Sequence, residues 1–232
     1  TPSDCDSSAP AATPDGRSVV FVSACTGPPA VWSMRADGSG LRQLTPGGGD
    51  NHPSISADGA WVYYESLEDG KPIVKKVSLA GDKASHVTAR LSRMPVASRS
   101  GDLLASYYWD EQAGSPARIA VMSASSGALI TALPLNPARR WPFMRWSEDG
   151  RSLVTVGREG DPHNLWAFPI DGGAPRAVTA FADALETYSF AWSAGDARLI
   201  VARGRSRDDV VLIRWQRADA AGMGAQQSLR EP

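Results

Sequence analysis

The side chains that could do covalent chemistry are few and scattered. The histidines are His52, His86 and His163, and the cysteines are Cys5 and Cys25. A zinc site needs three or four such ligands converging, and these imidazoles recur at no common spacing. No D-x-D-x-D-G string marks a calcium loop, and neither H-E-x-x-H nor G-x-S-x-G occurs. P-loop and dinucleotide glycine patterns are absent as well. The sequence therefore predicts no catalytic residues, no cofactor and no metal. What remains is recognition chemistry. Asp50, Asn51 and His52, then Arg93, then Arg139, Arg140 and Trp141, then Tyr188 stand at matching places in a repeat. Such a set could hold a peptide carboxylate or another anion bidentately on arginine, with the rings as anchors.

The repeat that would position them is legible. Each copy opens on a turn of the type Ser-x-Asp-Gly and continues with a β-branched and aromatic run. A second apolar run, an Asp-Gly pair and a short segment ending in Thr follow. Copies begin at Thr13-Pro14-Asp15-Gly16, Ser56-Ala57-Asp58-Gly59, Ser98-Arg99-Ser100-Gly101, Ser147-Glu148-Asp149-Gly150 and Trp192-Ser193-Ala194-Gly195. Gly16 and Gly59 stand 43 residues apart, as do Thr45 and Thr88. Runs such as Trp61-Val62-Tyr63-Tyr64-Glu65 suit a pleated, half-buried surface. A four-stranded sheet cannot bury both its faces, so each copy needs neighbours. The pattern predicts an all-β fold, a β-propeller of four-stranded antiparallel blades with five repeats. The expected blades span about 13–45, 50–88, 92–133, 139–179 and 186–215, within a propeller of residues 1–217. Residues 218–232 are expected to fray. Trp32, Met34 and Phe168 read as packing between blades. Aligned this way, the candidate residues fall where each innermost strand begins, at the mouth of the central channel.

Composition narrows the partners. Hydrophobic residues at 42% and charged residues at 21% exclude wholesale disorder. A net charge of −1 speaks against a polyanion-binding surface covering the whole molecule, and no direct nucleic-acid partner is expected. No apolar run reaches the length of a membrane-spanning helix. The two cysteines leave two readings open: one disulfide closing an N-terminal loop, or two unrelated thiols. The fifth copy lacks its last strand, which the segment before Thr13 could supply by strand exchange.

Trp146-Ser147-Glu148-Asp149-Gly150 and Asp171-Gly172-Gly173-Ala174-Pro175-Arg176-Ala177-Val178-Thr179 resemble the signatures of the TolB-type, WD-repeat-like (PD40) β-propellers of bacteria. The resemblance covers about Thr13 to Trp215. It implies either a ring closed by these five copies or part of a six- to eight-bladed ring. Asn164-Leu165-Trp166, Ser189-Phe190-Ala191-Trp192-Ser193, Arg203-Gly204 and Arg207-Asp208-Asp209-Val210-Val211-Leu212-Ile213 resemble, more narrowly, the C-terminal propellers of bacterial serine/threonine kinases and winged-helix regulators. That likeness implies a non-catalytic sensor or docking domain for a protein or small ligand, fused to an upstream kinase or DNA-binding domain. The alternative is an accessory or gating propeller of a peptidase or hydrolase. A self-contained lyase or glycosidase would need convergent carboxylates or metal-binding histidines. The cysteine pair and the sensor likeness together suggest an extracytoplasmic, periplasmic location.

Overall fold

The structure is a computed structural model that describes residues 5–109, 117–134, 143–158, 161–183, 185–193 and 198–205. Arg139, Arg140, Trp141, residues 207–213 and the 218–232 tail lie outside the described residues. Among those described, every regular element is a strand. No helix there is long and apolar enough to cross a membrane.

The first sheet runs β1 (Ser7–Ala12), β2 (Ser18–Ser23), β3 (Ala30–Arg35) and β4 (Arg42–Gln43), all antiparallel. The second has seven strands. They are β5 (Asn51–Ile55), β6 (Trp61–Glu68), β7 (Lys71–Ser78), β8 (Ser85–Ala97), β9 (Leu103–Trp109), β10 (Arg118–Ser123) and β11 (Leu129–Pro134). The third runs β12 (Met144–Trp146), β13 (Ser152–Arg158), β14 (Asp161–Pro169) and β15 (Arg176–Ala177). A last pair comprises β16 (Glu186–Trp192) and β17 (Leu199–Gly204). The sheets form a partial propeller-type arrangement of antiparallel meanders.

Two features depart from the sequence reading. Residues 7–12 pair with β2 and complete the first sheet, and do not supply the last strand of the fifth copy. Their Ser, Ala and Pro content is a poor strand signal, and pairing with the apolar β2 overrides it. Separate strands expected near 84–88 and 95–98 are one strand, β8. No Gly, Pro or Asp lies between Thr88 and Met94 to break it. Leu91 pairs with Ile73 on one side and Trp109 on the other, so two repeats share one sheet.

The Ser-x-Asp-Gly turn closes on itself through local hydrogen bonds. Ser147 Oγ donates to Asp149 Oδ1 at 2.6 Å and accepts the Ser152 amide at 2.9 Å. Asp149 Oδ1 also accepts the Arg151 amide at 3.0 Å, and the Gly150 amide donates to the Ser147 carbonyl at 3.0 Å. Gly150 holds φ +68°, a region other residues enter at a cost. Thr13 and Asp15, and Ser56 and Asp58, repeat the network. The Thr that ends a copy has its own task. Thr45 Oγ1 accepts the Val31 amide, and Thr179 Oγ1 accepts that of Leu165, both at 2.9 Å. In the second copy Ser92, and not Thr88, takes that place, accepting the Val74 amide at 3.1 Å.

Alternation along the strands sends side chains to both faces, and the core therefore lies between sheets. Val20, Val31 and Leu44 meet Val62, Tyr64 and Val77. Tyr63, on the other face of β6, joins Val74, Leu104, Tyr108 and Met122. Tyr107, Ile119 and Val121 meet Met144, Trp146 and Leu153, with Phe168 packed alongside. Val154, Val156 and Leu165 meet Phe190. Trp32 lies instead on the far face of the first sheet, opposite Phe21. Two indoles tie neighbouring copies by polar bonds as well. Trp146 Nε1 donates to the Val96 carbonyl at 2.9 Å, and Trp192 Nε1 to that of Trp146 at 3.0 Å. The Cys5–Cys25 disulfide forms, tying the start of β1 to the end of β2.

Candidate functional site

The innermost strands β1, β5, β8 and β12 face one cavity of about 340 Å³. Its wall repeats. Ala9-Pro10, His52-Pro53 and Met94-Pro95 each place a residue with φ near +50° just before a proline. Each sits at a break in strand register: Ser8 to Ala11, Asn51 to Ser54, and Arg93 to Val96. Bulges of this kind re-aim side chains beside functional sites. A non-glycine residue at positive φ costs about 1–3 kcal/mol and persists only where the surroundings impose it. Here the same strained geometry occurs once in each of the first three copies, around one opening.

Glu65 organises the mouth. It lies on β6 opposite Asn51, with its side chain 3% exposed. Arg93 Nε donates to Glu65 Oε1 at 2.8 Å, and its Nη2 forms an ion pair with the same oxygen at 2.7 Å. The Met94 amide donates to Oε2 at 3.3 Å. His52 Nδ1 stands 3.2 Å from Oε2 but is poorly aligned with it, so Arg93 is the stronger hold. Burial pushes the Glu65 carboxyl up, but His52 and Arg93 outweigh it and hold it below its ordinary range.

The predicted residues divide by place. His52 and Arg93 face the Glu65 carboxylate, and Asn51 is Glu65's register partner on β5. Asp50 is buried beside them, its carboxylate accepting Thr45 Oγ1 at 2.6 Å and Ser66 Oγ at 2.7 Å. His52 lines the cavity. Tyr188 sits at the matching register break of β16, over Gly204, and is not among the cavity's lining residues. Arg203 is paired with Asp183 at 2.6 Å and stacked on Phe181. Among the described residues, no three His, Cys, Asp or Glu side chains gather as a metal site.

Two residues escaped the sequence reading. Glu65 was visible only as an acid ending an apolar run. Arg145 stands between Met144 and Trp146, both buried, so alternation turns it the other way, onto the cavity. Its surface is open to that cavity, yet protein surrounds it, and desolvation lowers its guanidinium below the usual arginine range. It remains a cation at neutral pH.

No family model matches the chain. Several solved structures resemble it. TolB from Acinetobacter baumannii is 21% identical with a TM-score of 0.61, over 71% of this chain and 41% of that one. An oligogalacturonate lyase from Vibrio parahaemolyticus is 16% identical with a TM-score of 0.60, over 88% and 64%. An acylaminoacyl peptidase from Pyrococcus horikoshii is 13% identical with a TM-score of 0.56, over 80% and 33%. The chain thus spans well under two thirds of the TolB and peptidase chains. At these identities the likeness is one of architecture, and the architecture is a TolB-like, propeller-type all-β fold.

Proposed function

We propose that the chain is a non-catalytic β-propeller binding module of a bacterial protein, acting as the accessory or gating propeller of a peptidase or other hydrolase. The observation that carries the binding reading is the cavity itself, bordered by three strained bulges and faced by Arg145. Strain retained at one place in successive copies suits a pre-shaped site. The proposed ligand-binding residues are His52 and Arg93 at the mouth, with Asn51 and Asp50 supporting them. Arg139, Arg140, Trp141 and Tyr188 extend the same proposal around the ring. The partner is a protein segment or small ligand, not nucleic acid.

The hydrolase reading is supported by similarity to peptidases in which the matched part is about a third of the chain. The sensor reading has less support, since much of the segment that motivates it, 207–213, falls outside the described residues. An extracytoplasmic location is part of the proposal. The Cys5–Cys25 disulfide supports it, because such bonds persist in oxidising compartments.

The test uses the natural full-length protein, purified with whatever it holds. A fluorophosphonate probe is expected to label a serine hydrolase in the same chain or complex. Autophosphorylation from ATP, with no labelled hydrolase, would overturn the hydrolase reading in favour of the sensor one.

A further inference from the structure

Among the described residues, Arg145 is an arginine on the channel cavity that no carboxylate neutralises. It makes a single hydrogen bond among them, from Nη1 to the Met144 carbonyl at 3.0 Å. No carboxylate among the described residues pairs with it. Arg93 differs, because Glu65 occupies it from two nitrogens. Glu65 is in turn occupied by Arg93 and the Met94 amide, so that buried acid is already engaged. Arg145 is exposed on the cavity and carries no counter-charge there, so an anion that enters finds a guanidinium able to form a charge-assisted, bidentate pair.

The rest of the wall describes the body of that anion. Pro10, Pro53 and Pro95 contribute rings and no amide donors, and Phe143 is 44% exposed beside Arg145. Met94 adds a soft thioether. A highly charged anion such as a phosphate would want several donors, and this wall offers few besides Arg145 and His52. A volume of about 340 Å³ lies at the small end of ligand pockets.

We infer that the cavity binds a carboxylate on Arg145, carried on an apolar or aromatic body that packs against Pro53, Pro95 and Phe143. This rests on the channel being the binding site, as proposed above. The shared chemistry has two sources, a free small acid and the C-terminus of a peptide.

The methionines provide a local readout, since Met94 lines the cavity while Met34 and Met122 do not. The whole chain, with 13C-methyl methionine, is titrated with 3-phenylpropionate and with N-acetyl-glycyl-phenylalanine, and with the amide of each. Both acids or one of them should shift the Met94 methyl and leave Met34 and Met122 in place. Response to the peptide acid alone identifies the peptide source; response to phenylpropionate identifies the free acid. The matching amide should bind at least about tenfold more weakly, the loss expected for a charge-assisted bond. Arg145→Gln should lose the same factor, and Arg145→Lys should recover part of it. Acid and amide shifting Met94 equally, or Arg145→Gln binding the acid unchanged, would overturn the carboxylate anchor while leaving channel binding intact. No Met94 shift with any probe would overturn both.

Discussion

Arg93, on β8, reaches back to Glu65, on β6, and places two nitrogens within 2.8 Å of the same carboxylate oxygen. The two residues come from successive copies of the repeat, so the pair joins those copies at the channel mouth. It also fixes Met94, whose amide points at the second oxygen. A buried acid thus holds one bulge in shape, while Arg145 faces the cavity with no carboxylate on it among the described residues.

Arg93→Ala would leave Glu65 buried without its main partner. A loss of about 3 kcal/mol is expected, the low end for a broken buried pair because Arg93 keeps part of its side chain in water. Glu65→Gln should cost about 2 kcal/mol. The double variant should cost less than the sum, with a coupling of about 1–2 kcal/mol in urea unfolding. Strict additivity would show that the pair does not couple the two copies.

Acid should destabilise the fold through these same carboxylates. Glu65 is held below its ordinary range, where burial is outweighed by His52 and Arg93. Asp58 and Asp149 are lowered by the hydroxyls of Ser56 and Ser147 and then by turn amides. A carboxyl depressed in the folded state adds stability above its unfolded value and loses it as pH falls through the folded one. Stability should therefore be level through neutral pH and fall as pH drops below the ordinary carboxylate range. Glu65→Gln should flatten that fall, as measured by urea midpoints across the acid range. An unchanged slope would remove Glu65 from the acid response.

Gly127 and Gly150 share a positive φ but not a neighbourhood. A Cβ on Gly127 would lie 1.8 Å from the Val87 carbonyl oxygen, whereas one on Gly150 meets nothing within 4 Å. Gly150→Ala should cost about 1 kcal/mol of backbone strain. Gly127→Ala must also move β8 and should cost more than about 3 kcal/mol. Equal melting temperatures for the two would contradict the close approach.

The Cys5–Cys25 bond closes a short loop around β1 and β2. Cys25→Ser, or reduction, should cost about 3 kcal/mol in denaturant unfolding. It should also speed amide exchange in Ser7–Ala12, the strand carrying Ala9 to the channel wall. Exchange protected equally in both forms would show that β1 is held by pairing alone.

What the sequence made legible follows the range of the bonds involved. The Ser-x-Asp-Gly turns could be read because their bonds close within five residues of the serine. The strands could be read because Val62 and Tyr64 alternate with Tyr63 toward different neighbours. β1 could not, since its pairing and not its composition makes it a strand. Glu65 was missed because its partner lies 28 residues along the chain and depends on the register of the long β8. Arg145 was within reach, as alternation with Met144 and Trp146 already set its direction.

The binding reading stands most directly on a photo-crosslinking comparison. Phe143 and Leu41 are equally exposed, at 44% and 43%, but only Phe143 lines the cavity. With p-benzoylphenylalanine at each position of the full-length protein in its host, a channel-binding module should give a defined adduct from position 143 and none above background from position 41. Adducts from 41 with none from 143, or the same adducts from both, would contradict it.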